Sequence, residues 1–552
     1  MKHIILFFFL LIAKGISYGQ WTLSSSTNNA ICADTNSQQE PRIITDGNGG
    51  AIVCWTDFRT DTTNKIGDIY AQKIRSNGTV AWTLNGVSIC NQSADQTAPV
   101  LAEDGQGGAI ITWQDIRNGN RDIYAQRIDS NGFTLWTNNG VVVAQKNMSQ
   151  RSPRILNDGS KGAIIVWEDS INGASDIYIQ KINSNGSLAW NTNGVAVCNS
   201  IGVQINTKLC SDGNGGAIVT WQDKRNGNDY DIYAQKISSS GIDSWTTGGK
   251  PICVRINTQS NPKIETDNAG GAYVIWQDKR GAIDYDIYCQ RINNSGIVLW
   301  PINGALVCNA IGSQSAVDAT TDGINGGVII TWKDGRTINN HIYAQMINNA
   351  GNTVWANNGV VLSNNTYPQL NPNIVGVGNN EAIVTWQDSI SGAWDVYSQK
   401  INTTGNILWS SGGECVSNAA SNQTSPKNVS NGNGGCIYAF QDKRNGNSDI
   451  YAWQLKSNGT PTSISKIADE YEISIFPNPS NGSFYISGDE EFANNFSVNI
   501  LNNVGQIVYQ TKLIAGSRNA AIETNLKPGI YFVSVTNTDL KKHINTKIII
   551  NE

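Results

Sequence analysis

Imidazoles are scarce in this chain: 552 residues contain three histidines, three methionines and 13 prolines. His3 lies in a leader, so the mature protein keeps His341 and His543, and any site built from several imidazoles is excluded. No basic run occurs and the formal charge is −5, which argues against nucleic acid or anionic lipid as a partner. There is no Cys-x-x-Cys pair, which disfavours structural zinc, and no two cysteines adjoin. Beyond the leader no apolar run approaches the ~18 residues of a membrane-spanning helix. What is abundant is Gly, at 55, and Trp, at 17, which describes a Gly-rich, aromatic-rich globular chain and not a helical bundle, a collagen or a disordered segment.

Residues 1–19 read as a secretory signal, with Lys2 as the charged start, Ile4 to Ala13 as the apolar stretch, and Ser17 and Gly19 as the small residues before a cut at Gln20. The alternative is an N-terminal membrane anchor. Lys14, awkward after the apolar stretch of a signal, speaks for it, while ten apolar residues are too few to span a bilayer as a helix. Ten cysteines in an exported chain suggest disulfides. Yet Cys90, Cys198, Cys253 and Cys308 each follow a repeated Trp by eight residues, where other copies hold Ala144, Ser363 and Ser417. A small buried slot selects such a set, so free thiols are expected there. Cys32, Cys54, Cys210, Cys289, Cys415 and Cys436 fall off that column and leave room for one or two bridges.

Trp55, Trp113, Trp167, Trp221, Trp276, Trp332, Trp386 and Phe440 recur about every 54 residues, each followed two positions later by Asp. A second column is Trp21, Trp82, Trp136, Trp190, Trp245, Trp300, Trp355 and Trp409. Between them run short β-branched stretches such as Ala109-Ile-Ile-Thr-Trp113, apolar on both faces of the pleat, broken by Gly-rich and Asn-Gly steps. The fold expected is all-β: an eight-bladed β-propeller of four-stranded blades over 20–459, in preference to a β-solenoid. The eighth copy lacks its second Trp while the N-terminus has Trp21 to spare, so the N-terminal strand is expected to complete the last blade. The turn-plus-Trp unit, as in Asp129-Ser-Asn-Gly132-Phe-Thr-Leu-Trp136, resembles the tryptophan-docking repeat of eight-bladed quinoprotein-type propellers. That resemblance implies that the Trp locks neighbouring blades.

Candidate chemistry obeys the repeat. Asp57/Arg59, Asp115/Arg117, Asp223/Arg225, Asp278/Arg280, Asp334/Arg336 and Asp442/Arg444 share strand faces, with Ile171 and Ile390 at the Arg position of the other two blades. A structural strut is expected of them, against an Arg cluster gripping an acidic ligand. Loops such as Asp223 to Asp231 are read as polar turns with calcium as the alternative, and Asp46-Gly-Asn-Gly-Gly50 and its copies as tight turns that join strands, not phosphate cradles. Nothing singles out a catalytic residue, a metal ligand or a cofactor. Glu168, Glu265 and Glu381 are acids off the pattern, from which a carbohydrate-active hydrolase or lyase could be built. The other departures, Ile171, His341, Ile390 and Trp394, favour contact over proton transfer.

After a polar linker at 460–469 the period stops, and 470–552 alternates in short runs that suggest a small Ig-like β-sandwich. Phe476-Pro477-Asn478-Pro479, Leu501-Asn-Asn-Val-Gly505-Gln, Leu526-Lys-Pro-Gly529-Ile-Tyr531 and Lys547-Ile-Ile-Ile550 resemble, in order, the motifs of the type A C-terminal sorting domain of the type IX secretion system of Bacteroidota. Phe476 stands where that family usually has Tyr. The resemblance implies partners in the secretion machinery and its sorting protease, loss of the tail, and release or attachment to surface lipopolysaccharide. The alternative is an accessory binding sandwich. The body is expected to be a binding or adhesion module for a glycan or protein ligand.

Overall fold

A computed structural model describes residues 21–461 and 473–551, except 62, 64–65, 171–173, 322, 324–325, 364, 489–495, 503–505, 513–518 and 538–541. The leader and Ile171 lie outside the described residues. The chain divides at Thr462/Ser463 into two compact units.

The first unit holds eight four-stranded antiparallel sheets. Blade 1 is typical, with strands Gln38–Thr45, Ala51–Asp57, Asp68–Ile74 and Val87–Cys90 in that order across the sheet. The second strand is buried along its whole length, as a strand covered by sheets on both faces must be. The cores accordingly lie between blades: Ile52 and Cys54 of blade 1 pack with Ile111 and Trp113 of blade 2. First strands touch first strands all the way round, including Gln38–Thr45 against Gln423–Ser430 of blade 8, so they line the axis and the ring is shut.

Blade 8 has only three consecutive strands of its own, and its fourth is the N-terminal strand Asn29–Cys32, paired antiparallel with Asp449–Leu455. Each second-column Trp sits on the Gly-containing hairpin turn of the next blade, Asn-Gly in four of the eight. Trp82 donates from its indole to Ser130 O at 3.1 Å, and a Cβ on Gly132 would come within 2.8 Å of its ring. That Gly, at φ 92°, must lack a side chain both for its backbone and for the indole. The series runs through Trp136, Trp190, Trp245, Trp300, Trp355 and Trp409, and closes with Trp21 on Ser76 O at 2.8 Å. All ten cysteines are free. Cys32 belongs to the column after all. It ends the fourth strand of blade 8 as Cys90 ends that of blade 1, and lies beside Asp57 and Arg59 as Cys90 lies beside Asp115 and Arg117.

The second unit is a sandwich of two sheets. One holds Ile473–Phe476, Ser483–Gly488 and Asn519–Glu523, and the other Ile507–Lys512, Phe496–Leu501, Gly529–Asn537 and Lys542–Ile550. Its core includes Phe484, Ile486, Val498, Val533 and Ile548. Asn519–Glu523, with a single fully buried apolar residue in Ile522, is the strand the sequence pattern does not announce.

Candidate functional site

The Asp-x-Arg pairs are braces inside each blade. Asp223 is fully buried. It accepts from the Trp221 indole at 2.7 Å and from the Arg225 backbone and guanidinium at 2.6 to 2.9 Å, while Arg225 stacks over Tyr233 and donates to Gly248 O. Burial keeps the adjoining column thiols protonated: those of Cys90 and Cys308 are pushed up to about 12. Where blade 3 lacks the Arg, Lys146 from the preceding loop pairs with Asp169 at 2.7 Å and covers Tyr178. In blade 7, Asn365 and Gln369 donate to Asp388. These carboxylates are buried and spent on holding the blade, which makes them struts and not a ligand site.

The Gly-rich turns are likewise internal. Asp46 accepts from the backbone of Asn48 and Gly50 and pairs with Lys73, which reaches Gly107 O in the next blade. In the loop considered for calcium, the Asn226 amide donates to both Asp229 and Asp231. His341 stands opposite Asp334 with no hydrogen-bond partner for Nε2 among the described residues, and Trp394 is half-buried, with its backbone tied to Asn422 and Gln423. The acids off the pattern are not gathered into a pair. Glu168 replaces the Gln that follows the first-column aromatic residue in five other blades and performs the same task. It accepts from Asn206 N at 2.7 Å as Gln222 accepts from Asn261 N at 2.9 Å, each bracing a bulged, left-handed residue of the next blade. Glu381 pairs with Lys400.

The arrangement that sequence reasoning missed lies on the axis. The fifth residue of every first strand faces the channel: Arg42, Val100, Arg154, Lys208, Lys263, Asp318, Asn373 and Lys427. Five cations and one carboxylate thus share one level. Asp318 is consumed, by Lys263 at 3.0 Å and by Asn373 and Ile374 N. Arg42, Arg154 and Lys208 donate to carbonyl and amide oxygens of their own strands, and no ion pair among the described residues matches them or Lys427. Desolvation and mutual repulsion lower the Lys427 ammonium to about 8 and hold Lys208 well below its usual range. Above this level a cavity of about 600 Å³ opens, rimmed by Asn206, Asn261, Gln277, Ser315, Asn371 and Ser425.

Glu265 lines the next level, and burial together with Asp318 raises it to about 8. An acid whose folded pKa exceeds its unfolded value loses stability as pH rises from the unfolded value through the folded one. Asp68, Asp176, Asp231 and Asp286 do the same but finish near 6. The Glu265→Gln variant is therefore expected to gain on the wild type between pH 6 and 8. Urea unfolding at pH 6, 7 and 8 checks this, and a gap that stays constant refutes it.

In the tail, Asn478 holds the motif Phe476 to Pro479 against the last strand, donating to Lys547 O at 2.8 Å and accepting from Ile549 N at 2.9 Å. The Phe476–Pro477 and Asn478–Pro479 bonds are cis, and the exposed Phe476 ring stacks on Tyr485. Tyr531 donates its hydroxyl to Lys527 O. Gly529 opens the strand Gly529–Asn537 without a left-handed φ. Gly505 lies outside the described residues.

Among the described residues no helix is long and apolar enough to cross a membrane. No curated protein matches the chain. Solved structures similar to it include an endo-arabinase from Bacteroides thetaiotaomicron, at 14% identity over 57% of this chain and 95% of that one, TM-score 0.29. The α-L-arabinanase of Penicillium chrysogenum gives 11% over 69% and 99%, TM-score 0.35. PorZ, a surface component of the type IX secretion system of Porphyromonas gingivalis, gives 12% over 94% and 82%, TM-score 0.24. Residues 474–551 match the family described as secretion system C-terminal sorting domain. With its first motif pinned to its last strand, the C-terminal sandwich is such a sorting domain, and the chain is a type IX secretion substrate bound for the cell surface or the medium.

Proposed function

We propose that residues 1–19 lead the chain into the export route and that the ring then acts outside the cell as a non-catalytic binding module, with its axial channel as the ligand site. The observation that carries this is the state of the channel acids. Asp318 accepts three bonds from Lys263, Asn373 and Ile374, so no free carboxylate stands as partner to Glu265, and Glu168 and Glu381 are consumed elsewhere. A glycosidase needs two working carboxyl groups about the scissile bond. The repeat itself points the same way, because a propeller binds through positions contributed by many blades.

A second reading rests on Glu265, which at neutral pH is protonated in a cavity and has the character of a general acid. The two separate in one experiment. Purified protein lacking the tail is incubated with a panel of polysaccharides, with retention and released reducing ends both measured, for the wild type and for Glu265→Gln and Glu168→Gln. Retention without products, unchanged in Glu168→Gln, is the expected result. Product release that disappears in Glu265→Gln overturns it in favour of a hydrolase.

A further inference from the structure

The channel cations are not spread evenly. Lys427 and Arg42 come from adjacent blades 8 and 1, Arg154 and Lys208 from adjacent blades 3 and 4, with Val100 of blade 2 between the pairs. Lys263 is neutralised by Asp318 on the far side. Four basic groups with no ion-pair partner among the described residues therefore form a crescent on one wall, in a protein whose formal charge is −5. They face one another across a confined space, so each raises the cost of its neighbours' charge, and a negative group placed among them would relieve all four at once. Arg42 and Arg154 offer planar forks suited to a two-oxygen anion, and the two lysines act as point charges.

The rim states what carries that anion. Asn206, Asn261 and Asn371 share the mouth with Gln277, Ser315 and Ser425; Asn206 donates to Gln222 and Asn261, Asn261 to Gln277 and Asn371 to Gln387, and this pre-ordered set of amides, whose remaining lone pairs stand beside the two serine hydroxyls, is matched to a hydroxylated chain. Among the described residues neither the mouth nor the crescent is lined by an aromatic side chain, so nucleobase stacking has no platform, and the apolar lining of the mouth is confined to Ala316, Val317 and prolines. The mouth has room, at about 600 Å³, for a short run of sugar rings.

We infer that the channel takes an anionic saccharide, with a carboxylate or sulfate seated on Lys427, Arg42, Arg154 and Lys208 and the sugar hydroxyls on the amide rim. This rests on the binding reading above and names its ligand class. The burial of the crescent accords with it: Lys427 and Lys208 have depressed proton affinities, which an anion would restore.

The test is titration calorimetry of the purified ring and tail with four probes of similar length: an oligogalacturonate, a sulfated oligosaccharide, a neutral oligosaccharide and oligo-glutamate. Lys427→Gln, Arg42→Gln and Arg154→Gln are compared with Arg75→Gln, an exposed Arg on a hairpin turn away from the channel, and melting curves confirm that each variant is folded. Should Arg154→Gln fail to fold, Lys427→Gln, whose side chain makes no hydrogen bond or ion pair among the described residues, carries the test. The expected result is that at least one acidic saccharide binds, that binding weakens steeply with salt, and that each channel substitution costs about tenfold or more while Arg75→Gln does not. The uronate and sulfate arms tell which anion is preferred. Binding of the neutral saccharide as tightly as the acidic ones, of oligo-glutamate in preference to both, or of no acidic saccharide at all overturns the inference, as does indifference to the three substitutions. These outcomes leave the binding reading standing if another ligand is retained, whereas product release in the calorimeter cell removes the binding reading itself.

Discussion

Trp21→Ala should lower the unfolding free energy of the ring by about 3 to 5 kcal/mol, the usual range for emptying a buried Trp site. Trp21 is 3% exposed, bonds Ser76 O, and packs with the core shared by blades 8 and 1. It is also the link that lets the last blade interface equal the other seven. Its neighbourhood reaches further: the indole of the buried Trp453 donates to Thr22 O, and Asn28 donates to Val416 O and accepts from Ser417. Removing the whole segment Trp21 to Cys32 would strip the fourth strand from blade 8, expose the edge of Asp449–Leu455, and should prevent a cooperative transition altogether. Urea unfolding followed by Trp fluorescence measures both. An unchanged midpoint for Trp21→Ala would mean that the ring does not depend on its closure.

The second large effect is expected at the buried braces. Asp223→Ala leaves a Trp indole N–H and an arginine without their acceptor in a dry site, and a loss of about 3 to 5 kcal/mol follows from breaking one side of such a pair. Because most of that loss is the stranded partner, Asp223→Ala/Arg225→Met should recover a good part of it. Losses that simply add in the double variant would show the pair to be independent groups. Blades 3 and 7 exhibit what replacement looks like when it has been accommodated. Lys146 restores the cation from another loop, and Asn365 and Gln369 donate to one oxygen of Asp388 without one.

How much was legible follows from how each feature is written in the chain. The blades were readable because Trp and Gly stand at nearly constant intervals and docking requires both. The closure was readable because one column had a member too many at one end and too few at the other. Cys32 escaped because extra residues between Trp21 and its strand break the spacing that identifies Cys90 and its copies. The channel escaped for a different reason. Arg42, Arg154, Lys208, Lys263 and Lys427 each precede a first-column aromatic residue by 13 positions, so the patch they form is assembled at the period of the repeat and never appears as a basic run. Aligning the copies on their Trp and scanning that column for charge would have found it. Glu168 misled in the opposite direction, as an acid that looked exceptional but serves as one more Gln.

The position of the last hairpin bears on what maturation can do to the protein. Lys456 N bonds Thr460 O, and Leu455 bridges to Pro461, so the eighth blade is finished before the chain leaves the first unit. The strand that fastens the ring comes from the other terminus. A protease cutting after Pro461 therefore leaves the closing strand in place: the address is discarded while the lock stays shut.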